Sequence, residues 1–288
     1  MPRVVSNDAI APQVFRMVVE AADVARYRRA GQFVVVRPVA GSERIPLTIA
    51  DADAGRGTIT LVYQVVGTTT AKLSLIEAGS EVADVAGPLG LPTHVEKVGT
   101  VACVGGGIGV APVHPIAAAM HAAGNRVISI IGARSRDLLI MEAEMRAASD
   151  EVVIVTDDGS YGTKGFVTDA LRGLVESGTR PDLVVAIGPP IMMKMVSRLT
   201  RELGIATLVS LNTIMVDGTG MCGGCRVTVG GQVKFVCVDG PEFDGHQVDF
   251  DEMMRRQRMY ATVEKASYDA FREKHRCRLD ERAKVVRG

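Results

Sequence analysis

Short β-branched segments, in which apolar and polar positions partly alternate, dominate the first third of the chain. Residues 32–38 (QFVVVRP) and 58–66 (TITLVYQVV) are two of them, and a turn containing Gly and Asp separates them at residues 51–57. Several strands at such short spacing are typical of a small antiparallel barrel. We therefore predict an antiparallel barrel over residues 1–97.

The pattern changes near residue 99, where apolar strands begin to alternate with helical stretches. Strands are predicted at 100–104, 127–131, 152–156 and 183–187, and helices at 115–123, 139–148 and 191–203. Such alternation calls for a parallel sheet with helices on both faces. The sequence thus predicts an α/β domain over residues 98–210.

The C-terminal part of the chain is predicted to contain two further segments. Residues 211–250 are rich in Gly and Cys and include a predicted hairpin, 226–229 with 232–236, turned at two consecutive glycines. Residues 251–288 have a helical pattern with eleven Lys or Arg against seven Asp or Glu, a net charge of +4. This tail is either a solvated helix or a docking surface.

Composition narrows the class of protein. Hydrophobic residues make up 47% of the 288 positions, but aromatics only 4% and Trp is absent, which predicts an aliphatic core. Zero formal net charge argues against a nucleic-acid partner and against an acidic disordered chain. Residues 1–11 lack the pattern of a secretory signal, and no apolar run approaches the roughly 18 residues of a membrane span. We expect a cytoplasmic protein without a membrane partner.

Three of the five cysteines, Cys222, Cys225 and Cys237, fall within sixteen residues and favour a metal site in a reducing compartment. Thiolates suit iron–sulfur clusters and zinc, and the glycines of the run DGTGMCGGC let the backbone turn tightly around a metal. Plant-type [2Fe–2S] sites use C-x₄-C-x₂-C with a distant fourth cysteine. Asp217 occupies the first of these positions, so the spacing predicts Asp217, Cys222, Cys225 and Cys237 as ligands.

Two alternatives for this segment stay open at the level of the sequence. One is a zinc site built from the same three cysteines with His246 or Asp217, and the other is a Gly-rich turn that binds nothing. Cys103, inside an apolar strand, is predicted to be a core residue. Cys277, in the tail, is too distant in sequence to be assigned.

A glycine-rich run, GGGIGVAP at residues 105–112, lies between a predicted strand and a predicted helix. Glycines there let the backbone approach a pyrophosphate, and the helix N-terminus supplies N–H donors. The run departs from G-x-G-x-x-G at Val110, and a tight turn without ligand is the alternative. The candidate dinucleotide-binding residues here are Gly105, Gly106, Gly107, Gly109, Ala111 and Pro112.

Loops after other predicted strands add candidates, because ligands of open α/β sheets bind beyond the carboxyl ends of the strands. They are Arg134, Asp157, Asp158, Gly159, Gly188, Pro189 and Met192. Ordinary helix packing is the alternative for Met192. Arg134 and Arg136 suit a 2′-phosphate, and no acidic residue follows the second strand to bind an NAD ribose, so both NAD(H) and NADP(H) stay open.

Two motifs in the barrel region point to a flavin. In the run RIPLT an arginine can pair with a flavin pyrophosphate and a threonine can hydrogen-bond the isoalloxazine edge, while GTTT can hold the other phosphate at the start of a helix. A surface arginine and a simple helix cap are the alternatives. The candidate FAD residues are Arg44, Pro46, Leu47, Thr48, Gly67, Thr68, Thr69 and Thr70.

Taken in order, these motifs resemble the ferredoxin–NADP⁺ reductase superfamily over residues 1–210. R-x-P-L-T is similar to its flavin motif, residues 105–112 to its G-G-G-x-G-x-A-P loop, and residues 188–192 to its C-G-P-x-x-M turn, with Ile187 in place of the cysteine. The resemblance implies an FAD between barrel and nucleotide domain, with the nicotinamide stacked on the flavin.

The cluster segment is similar to that of the dihydroorotate dehydrogenase electron-transfer subunits. The runs VDGTGMCGGC and CVDGPEFDGH and the helical tail also resemble the small subunits of NADH-dependent reduced ferredoxin:NADP⁺ oxidoreductases and the sulfide dehydrogenase β-subunits. These resemblances imply FAD, a [2Fe–2S] cluster, NAD(H), and a larger iron–sulfur flavoprotein partner that couples to ferredoxin by electron bifurcation. A zinc-stapled flavin-binding interaction module and a self-sufficient diaphorase remain as alternatives.

Overall fold

The computed structural model describes residues 1–284. Its first part is a six-stranded antiparallel sheet in the order β1-β2-β5-β4-β3-β6. The strands are β1 (Val4–Ala11), β2 (Val14–Glu20), β3 (Phe33–Arg37), β4 (Ile45–Asp53), β5 (Thr58–Gln64) and β6 (Asp84–Leu89), with helices α1 (Ala22–Tyr27) and α2 (Thr68–Ser74) between them. The predicted antiparallel barrel is confirmed.

Strand β3 explains how the barrel meets the rest of the chain. Val34 and Val36 point into the barrel core, whereas Phe33 and Val35 join a second core shared with later segments. A strand that is buried on both faces needs apolar residues at consecutive positions, as in FVVVR. The outer face of β3 is therefore an internal surface of the protein.

The second part is the predicted parallel sheet, in the order β10-β9-β8-β7-β11-β12. Its strands are β7 (Thr100–Gly106), β8 (Arg126–Ala133), β9 (Glu151–Thr156), β10 (Thr163–Lys164), β11 (Leu183–Ile187) and β12 (Ala206–Ser210), and its helices α3 (Val110–Ala122), α4 (Glu142–Ala147), α5 (Val167–Glu176) and α6 (Pro190–Leu203). The chain builds outward from β7 to β10 and then returns to the other side of β7. This reversal places a topological switch point between β7 and β11, where such sheets bind ligands.

Two predicted helices have different bounds in the structure. The helix predicted at 139–148 is shorter, because Met141 takes a left-handed conformation (φ 55°) and α4 starts only after it. The helix predicted from residue 115 begins five residues earlier, directly after the glycine loop. Pro112 lies in its first turn, where no backbone N–H is needed.

The Cys-rich segment contains the predicted hairpin, β13 (Arg226–Val229) with β14 (Gln232–Phe235), followed by the short helix α7 (Val236–Asp239). It also contains β15 (Glu242–Asp244), a strand that the sequence pattern did not predict. β15 pairs antiparallel with β12 and forms the edge of the parallel sheet. This pairing fixes the Cys-rich segment against the nucleotide domain.

Two helices, α8 (Phe250–Gln257) and α9 (Ala261–Arg282), form the tail. Tyr268, Phe271 and Leu279 of α9 pack against the barrel core. At the start of α2, Thr68 and Ser267 share a hydroxyl–hydroxyl hydrogen bond of 2.9 Å. The tail is therefore docked on its own barrel. Within residues 1–284, no helix has the length and apolarity needed to cross a membrane.

We expect Leu279→Ala and Phe271→Ala to loosen this docking. Both side chains are half-buried, so each truncation should lower the free energy of unfolding of the barrel by about 1–2 kcal/mol, less than a fully buried site would. Urea unfolding and limited proteolysis of the tail measure the effect. Val263→Ala is the control, because Val263 is 70% exposed on the same helix. Equal effects at all three positions would contradict the docking.

Candidate functional site

The glycine loop after β7 is pressed against the loop after β11. A Cβ atom added at Gly109 would lie 2.2 Å from the carbonyl oxygen of Ile187, and one at Gly106 would lie 2.3 Å from Sδ of Met192. Side chains at these two glycines are thus excluded by packing within the protein. Ala111 and Pro112 follow in the first turn of α3, whose amide groups face the same edge of the sheet.

Gly107 differs from the other glycines of this loop. It has a positive φ of 55°, and a Cβ atom there would meet nothing within 4 Å. Its neighbourhood is open space directly before α3, where a helix N-terminus favours a phosphate. A side chain at Gly107 would therefore enter this open space, whereas one at Gly106 or Gly109 would collide with the protein itself.

The loops after β8 and β9 adjoin each other. The amide nitrogens of Asp157 and Asp158 donate to the carbonyl oxygens of Ala133 and Arg134 at 3.1 and 3.2 Å. Asp158 also accepts hydrogen bonds from the hydroxyl and amide of Ser160, which hold the pKa of its carboxyl below the ordinary value. Arg134 therefore lies beside two exposed acidic residues, Asp157 and Asp158, at the sheet edge that carries the glycine loop.

Met192 contacts the glycine loop and is not simply part of a helix core. Its Sδ and Cε atoms lie against Gly106 and Gly188, so that these glycines have no room for a side chain. Pro189 precedes α6 and is exposed beside them. Ile187, which stands where the resembling family has a cysteine, is buried at 6% exposure.

Thr48, which is predicted to hydrogen-bond the flavin ring, lies on the outer face of the barrel. In the register of β3 with β4, Phe33 is opposite Thr48 and Val35 is opposite Pro46, so these four share one face. Leu47 packs on the other side, against the barrel core. The face with Thr48 is the one that β3 turns toward the nucleotide domain and the Cys-rich segment.

The predicted phosphate-binding groups of the flavin site differ in exposure, because Thr68 is half-buried and Thr69 is only 7% exposed. Arg44 is exposed and makes one long ion pair, 3.6 Å to Asp84. The amides of Thr68 and Thr69 open α2, where no intrahelical acceptor exists. Thr70 has a different role. Its hydroxyl accepts hydrogen bonds from the amides of Val66 and Gly67 and stabilises the turn itself. Gly67 and the first turn of α2 thus offer backbone donors more than hydroxyl groups.

The Cys-rich loop gathers two of its three thiols. The sulfur atoms of Cys225 and Cys237 are buried and 3.3 Å apart, and the amide of Cys237 points at Sγ of Cys225 at 3.5 Å. Cys222 is exposed and accepts from the amide of Gly224 at 3.4 Å. Amide groups that point at sulfur offset the negative charge of thiolates bound to a metal.

Asp217 is held next to Cys222 by backbone donors. Its carboxylate accepts from the amides of Thr219 at 2.9 Å and Cys222 at 2.7 Å. These bonds lower the pKa of the Asp217 carboxyl, so the group is a ready anionic oxygen donor. The loop therefore has two pairs of donors, Cys225 with Cys237 and Asp217 with Cys222.

This arrangement fits a two-iron cluster better than zinc. In residues 1–284 no three His, Cys, Asp or Glu side chains converge closely enough to hold one metal ion. A structural zinc needs four ligands at one point, whereas a [2Fe–2S] cluster divides its ligands between two irons. His246, the alternative fourth zinc ligand, is engaged elsewhere, with its Nε2 3.0 Å from the hydroxyl of Thr200.

Cys103 and Cys277 lie apart from this loop. Cys103 is fully buried in β7, as predicted for a core residue, and burial raises the pKa of its thiol to about 12. Burial and the neighbouring Cys225 thiol likewise raise the pKa of the Cys237 thiol above its ordinary value. Cys277 is exposed on α9.

Sequence reasoning missed Glu242, a partly buried carboxyl at the junction of three segments. It lies on β15, accepts a hydrogen bond of 2.5 Å from the hydroxyl of Thr93 in the domain connection, and packs against Gly31 of the barrel. Burial raises the pKa of this carboxyl above its ordinary value of 4.5. Only the unpredicted strand β15 brings it there, so no sequence signal could have identified it.

We expect Glu242→Gln to change how stability depends on pH. A carboxyl whose pKa is raised in the folded state favours folding most below 4.5, and this contribution is lost as pH rises through the folded-state pKa. The free energy of unfolding of the wild type should therefore fall relative to that of Glu242→Gln between pH 4.5 and pH 8. Urea unfolding at several pH values measures this difference. If the free energies of unfolding of the two proteins changed equally with pH, Glu242 would not be a carboxyl with a raised pKa.

Comparisons with known proteins agree with this geometry. The iron–sulfur cluster binding domain of dihydroorotate dehydrogenase B matches residues 212–249, and an oxidoreductase NAD-binding domain matches residues 103–198. A Thermotoga maritima homologue of the dihydroorotate dehydrogenase B electron transfer subunit is 50% identical over 93% of this chain and 94% of its own length. The Fusobacterium nucleatum electron transfer subunit is 34% identical over 85% of this chain and 96% of its own.

The chain belongs to the dihydroorotate dehydrogenase B electron-transfer subunit family. A solved structure of the NADH-dependent reduced ferredoxin-NADP oxidoreductase is also similar, with a TM-score of 0.90 and 46% identity over 94% of this chain and 98% of that one. The Amycolatopsis cytochrome P450 reductase GcoB, 24% identical with a TM-score of 0.58 over 70% of this chain and 65% of that one, shares the fold.

Membership of the electron-transfer subunit family confirms several predictions together. The fold class, the role as an oxidoreductase subunit in electron transfer, and the cofactor set of FAD, [2Fe–2S] and NAD(H) are all confirmed. As an electron-transfer subunit, the chain works with a partner subunit. The matched iron–sulfur domain also leaves the zinc alternative without support.

Proposed function

We propose that this chain is the small flavoprotein subunit of an electron-bifurcating NADH-dependent ferredoxin:NADP⁺ oxidoreductase. The observation that carries the proposal is the similarity to the solved oxidoreductase, which extends over 94% of this chain and 98% of that one with a TM-score of 0.90 and 46% identity. The Thermotoga homologue of the dihydroorotate dehydrogenase B subunit matches 93% of the chain at 50% identity, so the identity of the partner subunit decides between the two functions. A dihydroorotate dehydrogenase electron-transfer subunit and a sulfide dehydrogenase subunit are the competing functions within the same family.

In this proposal the chain divides into four parts. Residues 1–97 bind FAD, 98–210 bind the nicotinamide nucleotide, 211–250 hold the cluster, and 251–288 form the tail. The packing of Gly218 supports a short path between flavin and cluster, because a Cβ atom there would lie 2.8 Å from Val35 and 2.9 Å from Leu89. The cluster loop thus rests on the barrel face that carries Thr48.

The flavin and nucleotide sites follow from the chain's own donors. Arg44 and the amides of Thr68 and Thr69 would bind the flavin pyrophosphate, and the hydroxyl of Thr48 would orient the isoalloxazine edge. Gly107 and the first turn of α3 receive the pyrophosphate of NAD(H). The remaining candidates shape these two sites: Pro46, Leu47, Gly67 and Thr70 for the flavin, and Gly105, Gly106, Gly109, Ala111, Pro112, Arg134, Asp157, Asp158, Gly159, Gly188, Pro189 and Met192 for the nucleotide.

The cluster ligands divide into the two pairs described above. Cys225 and Cys237 would hold one iron, and Asp217 and Cys222 would hold the other, with the amides of Cys237 and Gly224 directed at the sulfur atoms of Cys225 and Cys222. When bound, the flavin exchanges a hydride with the nicotinamide and single electrons with the cluster. Cys222 is exposed, so the iron that it would hold is the one nearer to a partner subunit docked on this surface.

The partner in this proposal is a larger iron–sulfur flavoprotein subunit that exchanges electrons with ferredoxin. The surface around Cys222 has the character of its docking surface. Large apolar side chains are exposed there, and patches of this kind mark protein interfaces. They are Val216, Met221, Val238, Met259 and Tyr260. Arg226 and Arg256 line a cavity of about 250 Å³ beside them, so an acidic rim on the partner would complement this patch.

A cytoplasmic location suits five free cysteines.

Isolation of the native complex tests this proposal. The wild-type chain should co-purify with an iron–sulfur flavoprotein, and Met221→Lys should prevent this while NADH still reduces its flavin. Val5→Lys is the control, because Val5 is exposed on β1. A native chain isolated alone, with full NADH-dependent activity, would instead indicate a self-sufficient diaphorase. A partner that oxidises dihydroorotate would select the competing function.

A further inference from the structure

A second cleft, of about 780 Å³, lies between the barrel and α3. Its walls come from the end of α1, from β4, from the connection between the two domains and from one face of α3. None of the residues assigned above to FAD, NAD(H) or the cluster lines it. The cleft has the size of a small-molecule site and lies at a domain interface, where such sites are common.

The floor of the cleft is made of small side chains. Pro115, Ala118, Ala119 and Ala122 have the spacing i, i+3, i+4 and i+7, so they share one face of α3. Ala119 is ten residues beyond Gly109, about 15 Å along the helix from the glycine loop. This face leaves room for a flat ring well away from the nucleotide loop.

Cationic groups border this floor. Arg28 is only 20% exposed and is 3.5 Å from Asp51, the one carboxylate in the lining. Arg29 and His114 make no ion pair within residues 1–284. The Nδ1 atom of His114 lies 3.2 Å from the carbonyl oxygen of Ala50, to which it donates, so Nε2 is left for another partner. Two arginines against one carboxylate make the cleft locally positive in a chain of zero net charge.

We propose that this cleft is a separate binding site for a planar molecule that carries a phosphate, of the size of a nucleoside monophosphate. The ring lies on the alanine face of α3, and the phosphate is bound by Arg28, Arg29 and His114, since guanidinium groups match phosphate oxygens in charge and geometry. Because the walls belong to both domains, the bound molecule stabilises the domain arrangement seen here.

Calorimetric titration of the FAD- and cluster-loaded protein with AMP tests the site. The Gly107→Val background is used, so that the glycine loop does not contribute. We expect one AMP per chain, at least tenfold weaker binding in Arg29→Ala and His114→Ala, and loss of binding in Ala119→Leu, which fills the floor. Inorganic phosphate should bind at least tenfold more weakly than AMP, because it lacks the ring.

Absence of AMP binding in this background, or binding that is unchanged in all three cleft variants, would overturn the proposal. If inorganic phosphate bound as tightly as AMP, the claim that a planar ring binds on the alanine face of α3 would be wrong. Circular dichroism of the same samples reports whether the variants fold. Their FAD and iron contents report whether the cofactors of the proposed function are bound. A failure of the cleft is therefore distinguishable from a failure of the electron-transfer assignment.

Discussion

An Asp217→Ala variant is expected to retain FAD but lose the [2Fe–2S] cluster. The change removes an anionic oxygen ligand and also the acceptor for the amides of Thr219 and Cys222, which shape the loop. Both losses leave one iron with Cys222 alone. The electron paramagnetic resonance spectrum of the reduced protein, together with iron and flavin contents, measures the effect.

Two further variants separate ligation from loop shape. Asp217→Asn keeps an oxygen acceptor for the amides but lacks the negative charge, so it should also lose or strongly alter the cluster. Asp217→Cys supplies a fourth thiolate and should retain a cluster with a shifted spectrum. Asp269→Ala is the control for a lost surface carboxylate, because the Asp269 side chain is 56% exposed on α9. A spectrum of wild-type form in Asp217→Ala would exclude this residue as a ligand.

Gly107→Val is expected to lower the rate at which NADH reduces the flavin by about 100-fold or more, because it blocks the binding of the pyrophosphate. FAD should stay bound. A β-branched residue is disfavoured at φ 55°, and its side chain would occupy the open space before α3. The binding of the nucleotide pyrophosphate through the first turn of α3 would then be blocked. Stopped-flow reduction and nucleotide titration measure the loss.

Gly173→Ala is a matched control for this substitution. Gly173 lies inside α5, its added Cβ would also meet nothing within 4 Å, and Ala favours the helix. Hydride transfer should be unchanged there. If Gly107→Val transferred hydride at the rate of the wild type, the glycine loop would not be the pyrophosphate site.

The local patterns of the sequence predicted most of the fold. The consecutive valines of β3 and the alternation of strands and helices after residue 99 each follow from short-range periodicity and burial. The hairpin of β13 and β14 follows from its two central glycines, both with positive φ. In each case the determining residues are close together in the sequence.

The features that were missed depend on contacts between distant segments. β15 has three residues and exists because β12 offers an edge, so its own sequence gives no signal. α9 docks through few apolar residues, Tyr268, Phe271 and Leu279, which are sparse among its charges. The position of Glu242 and the pairing of Cys225 with Cys237 likewise require the folded chain.

Iron and acid-labile sulfide, measured per bound FAD after anaerobic purification with both elements supplied, test the central claim most directly. The expected result is two irons and two sulfides per FAD, lost together in Cys225→Ser and Cys237→Ser. Protein that contained flavin but neither iron nor sulfide, or one zinc in their place, would contradict the assignment of the loop as an electron-carrying cluster site.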